Sequence, residues 1–281
     1  MPCSHSTCRC TSRNRISHGG RRRPTTSSTS ATRRAASSPG GADDPSTGLI
    51  DRDDYIDGLW LQGGSQWDSL SHVRHREHGN YNGIADQEIH GGPGTKLGTD
   101  QWARRAIVGR GVLVDVPRHL ARVGRDYDPS SAFQVTVDDL ERTLATQGLD
   151  AEDGDILLLH TGWMQRFLDA DADERARLIA WETIHAPGLE PSERMVEWLW
   201  DHHVAAVASD SVGVEALSPN PEFFLHLALL PLLGMPLGEF WVLDALARDC
   251  AHDGMYACLL VSVPFNLRGG VGSPPQAVAI K

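Results

Sequence analysis

Gly154-Asp-Ile-Leu-Leu-Leu-His-Thr-Gly-Trp163 is the stretch on which the reading of the fold turns. A Gly-Asp turn opens it, Ile156 to Leu159 are apolar without interruption, and His160-Thr161-Gly162 closes it. A run this short and this apolar reads as a buried strand, because a strand with one wet face alternates with polar residues. Upstream, Gly111-Val-Leu-Val-Asp115-Val has the same character. Between the two, Thr136-Val-Asp-Asp139 opens a helix. Thr136 suits the N-cap, Asp138 and Asp139 complement the helix dipole, Leu140 and Leu144 supply an apolar stripe, and Gly148 stops it. Downstream, Ser192 caps a helix from about Glu193 to His202, with Met195, Val196 and Leu199 at helical spacing. That helix hands over to a strand from Val204 to Ala208. Strands alternating with helices predict an α/β fold with at least part of the sheet parallel.

The chain has 281 residues, 40% of them hydrophobic, which is enough for a sizeable core. Its charge is unevenly spread. Residues 1–42 hold eight Arg and no Asp, Glu or Lys, leaving 18 basic against 37 acidic residues in the remainder, a net of −19. So acidic a body argues against nucleic-acid binding. Residues 1–48 form an Arg/Ser-rich tail with almost no large apolar residue, and such a segment is expected to stay disordered. Its composition is that of an organellar transit peptide, but the apolar face such peptides need is missing. Cys3, Cys8 and Cys10 lack the paired spacing of a zinc knuckle. In the body only Cys250 and Cys258 remain, which predicts thiols in a reducing compartment. The longest apolar run, Phe223 to Leu233, is broken by His226 and Pro231 and is too short to span a membrane. The expectation is a cytoplasmic protein with no membrane partner.

Chemistry-bearing side chains are densest in Gly63-Gly64-Ser65-Gln66-Trp67-Asp68-Ser69-Leu70-Ser71-His72. If the segment is extended, Gln66, Asp68, Leu70 and His72 share one face. Carboxylate oxygen and imidazole nitrogen are what hard and borderline cations want, so this face reads as half of a metal site. Chance spacing in ordinary loop sequence is the bland alternative. His75 and His78 follow as candidates for further ligands, solvated loop histidines being the bland alternative, and the Gly-rich stretch Gly91 to Gly98 is expected as a loop walling a pocket. Far downstream, His226 lies in the almost wholly apolar Pro221-Glu-Phe-Phe-Leu-His226-Leu-Ala-Leu-Leu, and Glu239 in Met235-Pro-Leu-Gly-Glu-Phe-Trp-Val-Leu. Buried imidazoles and carboxylates need partners: a backbone carbonyl or an Arg in the bland case, a cation in the sharper one.

Gly63 to His72 resembles the His-x-Gly-Thr-His-x-Asp-x-Pro-x-His signature of the cyclase family of metal-dependent hydrolases, which includes bacterial kynurenine formamidase and isatin hydrolase. Gly64, Asp68 and His72 agree with it; Gln62 and Gln66 stand at its first two histidines, Ser65 at Thr and Leu70 at Pro. Arg110 to Asp115, Gly154 to Trp163, Pro187-Gly-Leu189, Ala208-Ser-Asp210 and Gly272-Ser-Pro274 are also similar to that family's segments, so the likeness runs from about residue 49 to residue 281. It implies a catalytic domain over 49–281, with the swivelling β/β/α fold built on a mixed sheet flanked by helices. It implies Asp68, His226 and Glu239 as metal ligands, His72 as general acid/base and Gln66 as an orienter of water or substrate. Neutral amides cannot replace imidazoles at zinc, so one divalent ion per chain is expected, Mn2+ or Zn2+, with oxygen-rich ligation favouring manganese. Trp60 and Trp67, with Trp102 and Trp163, are candidates to line an aromatic substrate pocket, and each would serve equally well in a core. The implied activity is hydrolysis of an amide, cyclic amide or ester of a small aromatic molecule, arylformamidase-like and so tied to kynurenine and tryptophan catabolism, in a homodimer or homotetramer. Two alternatives stand beside it: a catalytically impaired member serving as a binding or structural oligomer, and a polyketide-type cyclase.

Overall fold

Ile156 to His160 pairs in parallel with a strand on each side, and those two pairings decide the architecture. In the computed structural model the described residues are 58–219, 221 and 223–281, together with the strands Cys8–Cys10, Ser30–Arg34 and Asp54–Tyr55. The chain divides into two units, Met1–Gly63 and Gly64–Lys281. In the first, the three short strands pair antiparallel. The rest of residues 1–57 lies outside the described residues, and the expected disorder of the tail lies there with it.

The second unit is built on an eight-stranded mixed sheet. We number its strands β1 (Gln66–Asp68), β2 (Ile107–Asp115), β3 (Ile156–His160), β4 (Ala206–Ser209), β5 (Leu237–Glu239), β6 (Ala257–Ser262), β7 (Gly272–Ser273) and β8 (Ala277–Ile280). The order across the sheet is β7-β1-β5-β4-β3-β2-β6-β8. The central four, β2 to β5, run parallel, and the outer strands join antiparallel. The expected fold class, a mixed sheet flanked by helices, is what forms.

Both faces of the central strands are covered, which is why their sequences are continuously apolar rather than alternating. Val112, Val114, Leu157, Leu159, Val207 and Leu237 point into one core. Leu113, Ile156, Leu158, Ala206 and Ala208 point into the other. Helices α1 (Val137–Thr146) and α2 (Glu193–Asp201) cover the first face with Val137, Leu140, Leu144, Met195, Trp198 and Leu199. Their starts are those read from sequence. Thr136 Oγ1 accepts from Asp139 N at 3.1 Å while Asp139 returns a bond to Thr136 N, and Ser192 Oγ accepts from Met195 N at 3.2 Å. Each cap contributes about 1 kcal/mol. Helix α3 (Asp244–Asp253) lies on the second face through Ala247 and Cys250. Cys250 and Cys258 are free thiols.

The apolar stretch around His226 is shorter as an α-helix than its composition suggests. One turn, Leu225–Ala228, widens into a π-turn over Leu229–Leu233 and stops at Gly234. Pro231 has no N–H to donate, so the α ladder cannot continue through it. No helix among the described residues is long and apolar enough to cross a membrane.

Candidate metal centre and active site

Strand β1 is only three residues long, yet it sets the site. Its register against β5 puts Glu239 opposite Gln66 and Leu237 opposite Asp68, so Gln66, Asp68 and Glu239 share a face. Trp67 takes the opposite face and lies across from Gly238. A Cβ on Gly238 would come 2.8 Å from Trp241 Nε1 and 2.7 Å from Ala208 Cβ, so only glycine lets β5 close on β4 here. Trp67 is fully buried, packs edge-on against Trp241 at 5.0 Å and donates its indole N–H to Ser262 Oγ at 2.8 Å. The substrate-lining role expected of Trp67 is therefore corrected: period-two alternation sends it into the second core, away from Asp68. Trp163 is fully buried as well, stacked on Phe167. Trp60, half-exposed, and Gln62 belong to the first unit.

His226, delivered by the Leu225–Ala228 turn, completes the cluster. Its Nε2 stands 3.0 Å from Glu239 Oε1 and 3.9 Å from Asp68 Oδ2. Its Nδ1 faces both oxygens of Glu215, at 2.9 and 2.8 Å, and donates to that carboxylate. Glu215 is 1% exposed, Asp68 is fully buried and Glu239 is 7% exposed. Gln66 Nε2 donates to Glu239 Oε2 at 2.9 Å and reaches Asp68 Oδ1 at 3.4 Å, tying the two carboxylates together. His72 stands beside them, its Nε2 3.9 Å from Asp68 Oδ1 and its side chain 34% exposed. It arrives by another route than the shared strand face. The strand ends at Asp68, and a turn closed by His72 N donating to Ser69 O swings the imidazole back.

Electrostatics follow from burying three carboxylates around one imidazole. Burial opposes charge on His226, but Glu215, Asp68 and Glu239 outweigh it and carry its pKa well above the ordinary value. Burial likewise opposes charge on Glu215, and His226 overcomes it, holding this carboxyl below its usual range. Glu239 goes the other way. Burial first, and the charge of Asp68 second, push it up to about 7 against the pull of His226. Three buried carboxylates thus face one imidazole, more negative charge than its single positive charge can balance.

These residues fit a divalent cation. Donor atoms of Asp68, His226 and Glu239 lie within 4.8 Å of one another. Bonds of about 2.0–2.2 Å to one ion place neighbouring donors roughly 3–4 Å apart, as found here. Asp68 Oδ2 and Gln66 Oε1 are buried without a hydrogen-bond partner, as an oxygen reserved for a cation would be. The carboxylate behind Nδ1 fixes the tautomer that leaves Nε2 free to ligate.

Of the residues expected at the site, the structure thus brings together Gln66, Asp68, His72, His226 and Glu239. His75 and His78 do not take the places of the missing histidines. Their rings stack at 4.6 Å, and His75 Nδ1 accepts from Glu77 N and His78 N, which caps their own turn. Part of the Gly-rich loop, Gly94 to Leu97, does line a cavity of about 380 Å³ with Tyr81 and Asp100, but none of the three ligands borders it. Glu215 escaped the sequence reading. The signal that marked Glu239, a carboxylate between apolar neighbours, was present in Val214-Glu215-Ala216-Leu217 too. Gly188 permits its placement: a Cβ there would fall 2.3 Å from the Glu215 carbonyl carbon.

Residues 27–216 match the family described as putative cyclase. A crystal structure of a novel cyclase is 34% identical, with a TM-score of 0.74 over 86% of this chain and 77% of that one. An isatin hydrolase bound to the product analogue thioisatinate is 20% identical, with a TM-score of 0.56 over 85% of this chain and 78% of its own. Isatin hydrolase A from Labrenzia aggregata, bound to benzyl benzoate, is 17% identical, with a TM-score of 0.56 over 94% and 88%. No curated protein matches the chain. The family match covers Asp68, His72 and Glu215 and stops short of His226 and Glu239, which the fold returns to β1. By sequence over two-thirds of its length and by its fold, the chain belongs to the putative cyclase family.

Proposed function

We propose that this protein is a metal-dependent hydrolase acting on an amide, cyclic amide or ester of a small aromatic molecule, arylformamidase-like in its chemistry. The observation that carries the reading is the buried Asp68-His226-Glu239 triangle with Glu215 behind the imidazole. A bound divalent ion supplies Lewis acidity, polarising the scissile carbonyl and making water a better nucleophile near neutral pH. Oxygen-rich ligation favours manganese over zinc. His72, on the open side of Asp68, takes the proton of the attacking water and returns it to the leaving nitrogen or oxygen. Gln66 Nε2 is spent on the two carboxylates, so this residue orients ligands rather than substrate. Similarity to isatin hydrolases supports a planar aromatic substrate, and a homodimer or homotetramer is the assembly we propose.

A second reading has its own observation. An amide whose N–H group bridges two carboxylates does at this point part of what a cation would do, and that favours a catalytically impaired member serving as a binding or structural oligomer. The two separate by elemental analysis of full-length protein purified without a metal-affinity tag, beside Asp68→Ala. Loss of one manganese or zinc per chain in the variant, with hydrolysis of N-formyl aryl amides or aryl lactams by wild type and not by His72→Ala, supports the hydrolase. Equal metal content in both proteins after incubation with either ion rejects it in favour of the binding protein.

A further inference from the structure

On the other side of the central strands, three carboxylates surround a second buried histidine. Asp115 and His160 end the neighbouring parallel strands β2 and β3 and are register partners. Asp210 follows the end of β4, and Asp244 opens α3. His160 Nδ1 lies 2.9 Å from Asp115 Oδ1. Its Nε2 lies 3.4 Å from Asp244 Oδ1 and 3.9 Å from Asp210 Oδ2.

The arrangement repeats that of the first centre. There, Glu215 backs Nδ1 of His226 while Asp68 and Glu239 stand before Nε2 at 3.9 and 3.0 Å. Here, Asp115 backs Nδ1 of His160 while Asp210 and Asp244 stand before Nε2. A carboxylate that holds the rear nitrogen of an imidazole whose front nitrogen faces two further carboxylates is the usual construction around a ligating histidine. Donor atoms of His160, Asp210 and Asp244 all lie within 4.8 Å of one another, the span one cation bridges.

Two further observations point to a ligand. Asp244, 9% exposed, has a buried Oδ2 with no hydrogen-bond partner, while its Oδ1 faces His160 Nε2. Asp210 is held in place: Oδ1 accepts from Thr161 N and Oγ1 at 2.7 and 2.6 Å, and Oδ2, the oxygen 3.9 Å from His160 Nε2, accepts from Gly162 N at 2.7 Å. The cluster also has an entrance. Asp115, His160 and Asp244 border a cavity of about 750 Å³ whose wall carries Arg118, Arg122 and Arg248. Those guanidinium groups suit an anion completing the coordination of an ion held by three protein donors.

We propose that His160, Asp210 and Asp244 form a second divalent-cation site, distinct from the first centre, that takes zinc or manganese and joins β3, β4 and α3 through one ion. Asp115 is its positioning residue. The count per chain is then two, not the one that the signature region alone implies. The competing occupant is a proton: without a cation, burial disfavours charge on His160, but Asp115, Asp244 and Asp210 prevail and raise its pKa to about 10. That state is an ion-paired core histidine.

The test uses the full chain, made without a metal-affinity tag, stripped with chelator and reloaded with Co2+ or Zn2+. Ions per chain are counted in wild type, His226→Ala, Asp244→Asn and the double variant, with melting curves to establish folding. Two ions in wild type, one in each single variant and none in the double are expected. The cobalt d–d absorption should persist in His226→Ala and vanish when Asp244→Asn is added. Folded His226→Ala that holds no ion, or Asp244→Asn that holds as many as wild type, overturns the proposal. Should His226→Ala not fold, Asp68→Asn silences the first centre instead. An ion that depends on Asp244 but not on His226 or Asp68 in an otherwise ion-free protein supports the second site while rejecting the hydrolase centre, so the two readings fail separately.

Discussion

Glu215→Gln is the perturbation that tests the first centre most sharply, because it removes a charge and leaves shape and fold in place. The two oxygens of Glu215 lie 2.9 and 2.8 Å from His226 Nδ1 at a position 1% exposed. Loss of a carboxylate behind a ligating histidine weakens metal binding by about 10- to 100-fold, or roughly 1.4–2.7 kcal/mol. A glutamine oxygen still accepts from Nδ1, so the ring keeps its tautomer, and the loss is that of charge alone. The proton on His226 also draws on Glu215, which is the largest cause raising that pKa. Removing Glu215 therefore weakens the proton as well as the ion. The net effect on ion binding is smallest near neutral pH, where proton and ion compete, and grows toward alkaline pH, where the ion alone is lost. Calorimetric titration of chelator-stripped protein with Mn2+ at two pH values, in an Asp244→Asn background to leave one class of site, measures it. An affinity within twofold of the parent at both pH values, with unchanged melting, would refute the positioning role.

Three further outcomes are expected. Glu239 has its carboxyl pushed up to about 7, so the folded, metal-free protein binds this proton more tightly than the unfolded chain, where the carboxyl has its ordinary value near 4.5. The stabilisation is complete below about 4.5 and is lost as pH rises through about 7; the melting-temperature difference between metal-free wild type and Glu239→Gln should shift across that window, and a flat difference would dispose of the shift. Gly188→Ala drives a Cβ to 2.3 Å from the Glu215 backbone. It should cost about 1–3 kcal/mol in urea unfolding and weaken metal binding together, and loss of stability with wild-type metal affinity would break the link between that contact and the site. Ser262→Ala strands the indole N–H of Trp67 in the core. A loss of about 1–3 kcal/mol with unchanged metal content is expected, and altered metal content at full stability would put Trp67 back on the site's side of the sheet.

The primary structure determined the local elements and much of the centre's inventory. Unbroken apolar runs identified β2, β3 and β4, because strands covered on both faces have no wet side to pattern. Thr136 and Ser192 marked helix starts through side-chain oxygens that reach backbone N–H groups within three residues, an interaction wholly contained in the local sequence. A polar group alone in an apolar run pointed to His226 and Glu239, and the same rule applied evenly would have found Glu215. Period-two alternation on Gln66 and Asp68 already implied that Trp67 faces the other way.

What only tertiary structure decided was which of these groups meet. Gln66 and Glu239 are 173 residues apart and become neighbours through an antiparallel register that no local pattern encodes. His72 joins them through a turn at Ser69, where alternation alone predicted a continued strand. Asp115, His160, Asp210 and Asp244 sit in four separate segments, unremarkable one by one, and converge because parallel strands end on the same edge of the sheet. Burial and capping act over a few residues and can be read along the chain. Register and parallel strand order bring distant carboxylates within 4 Å of an imidazole, and they depend on how the whole sheet packs.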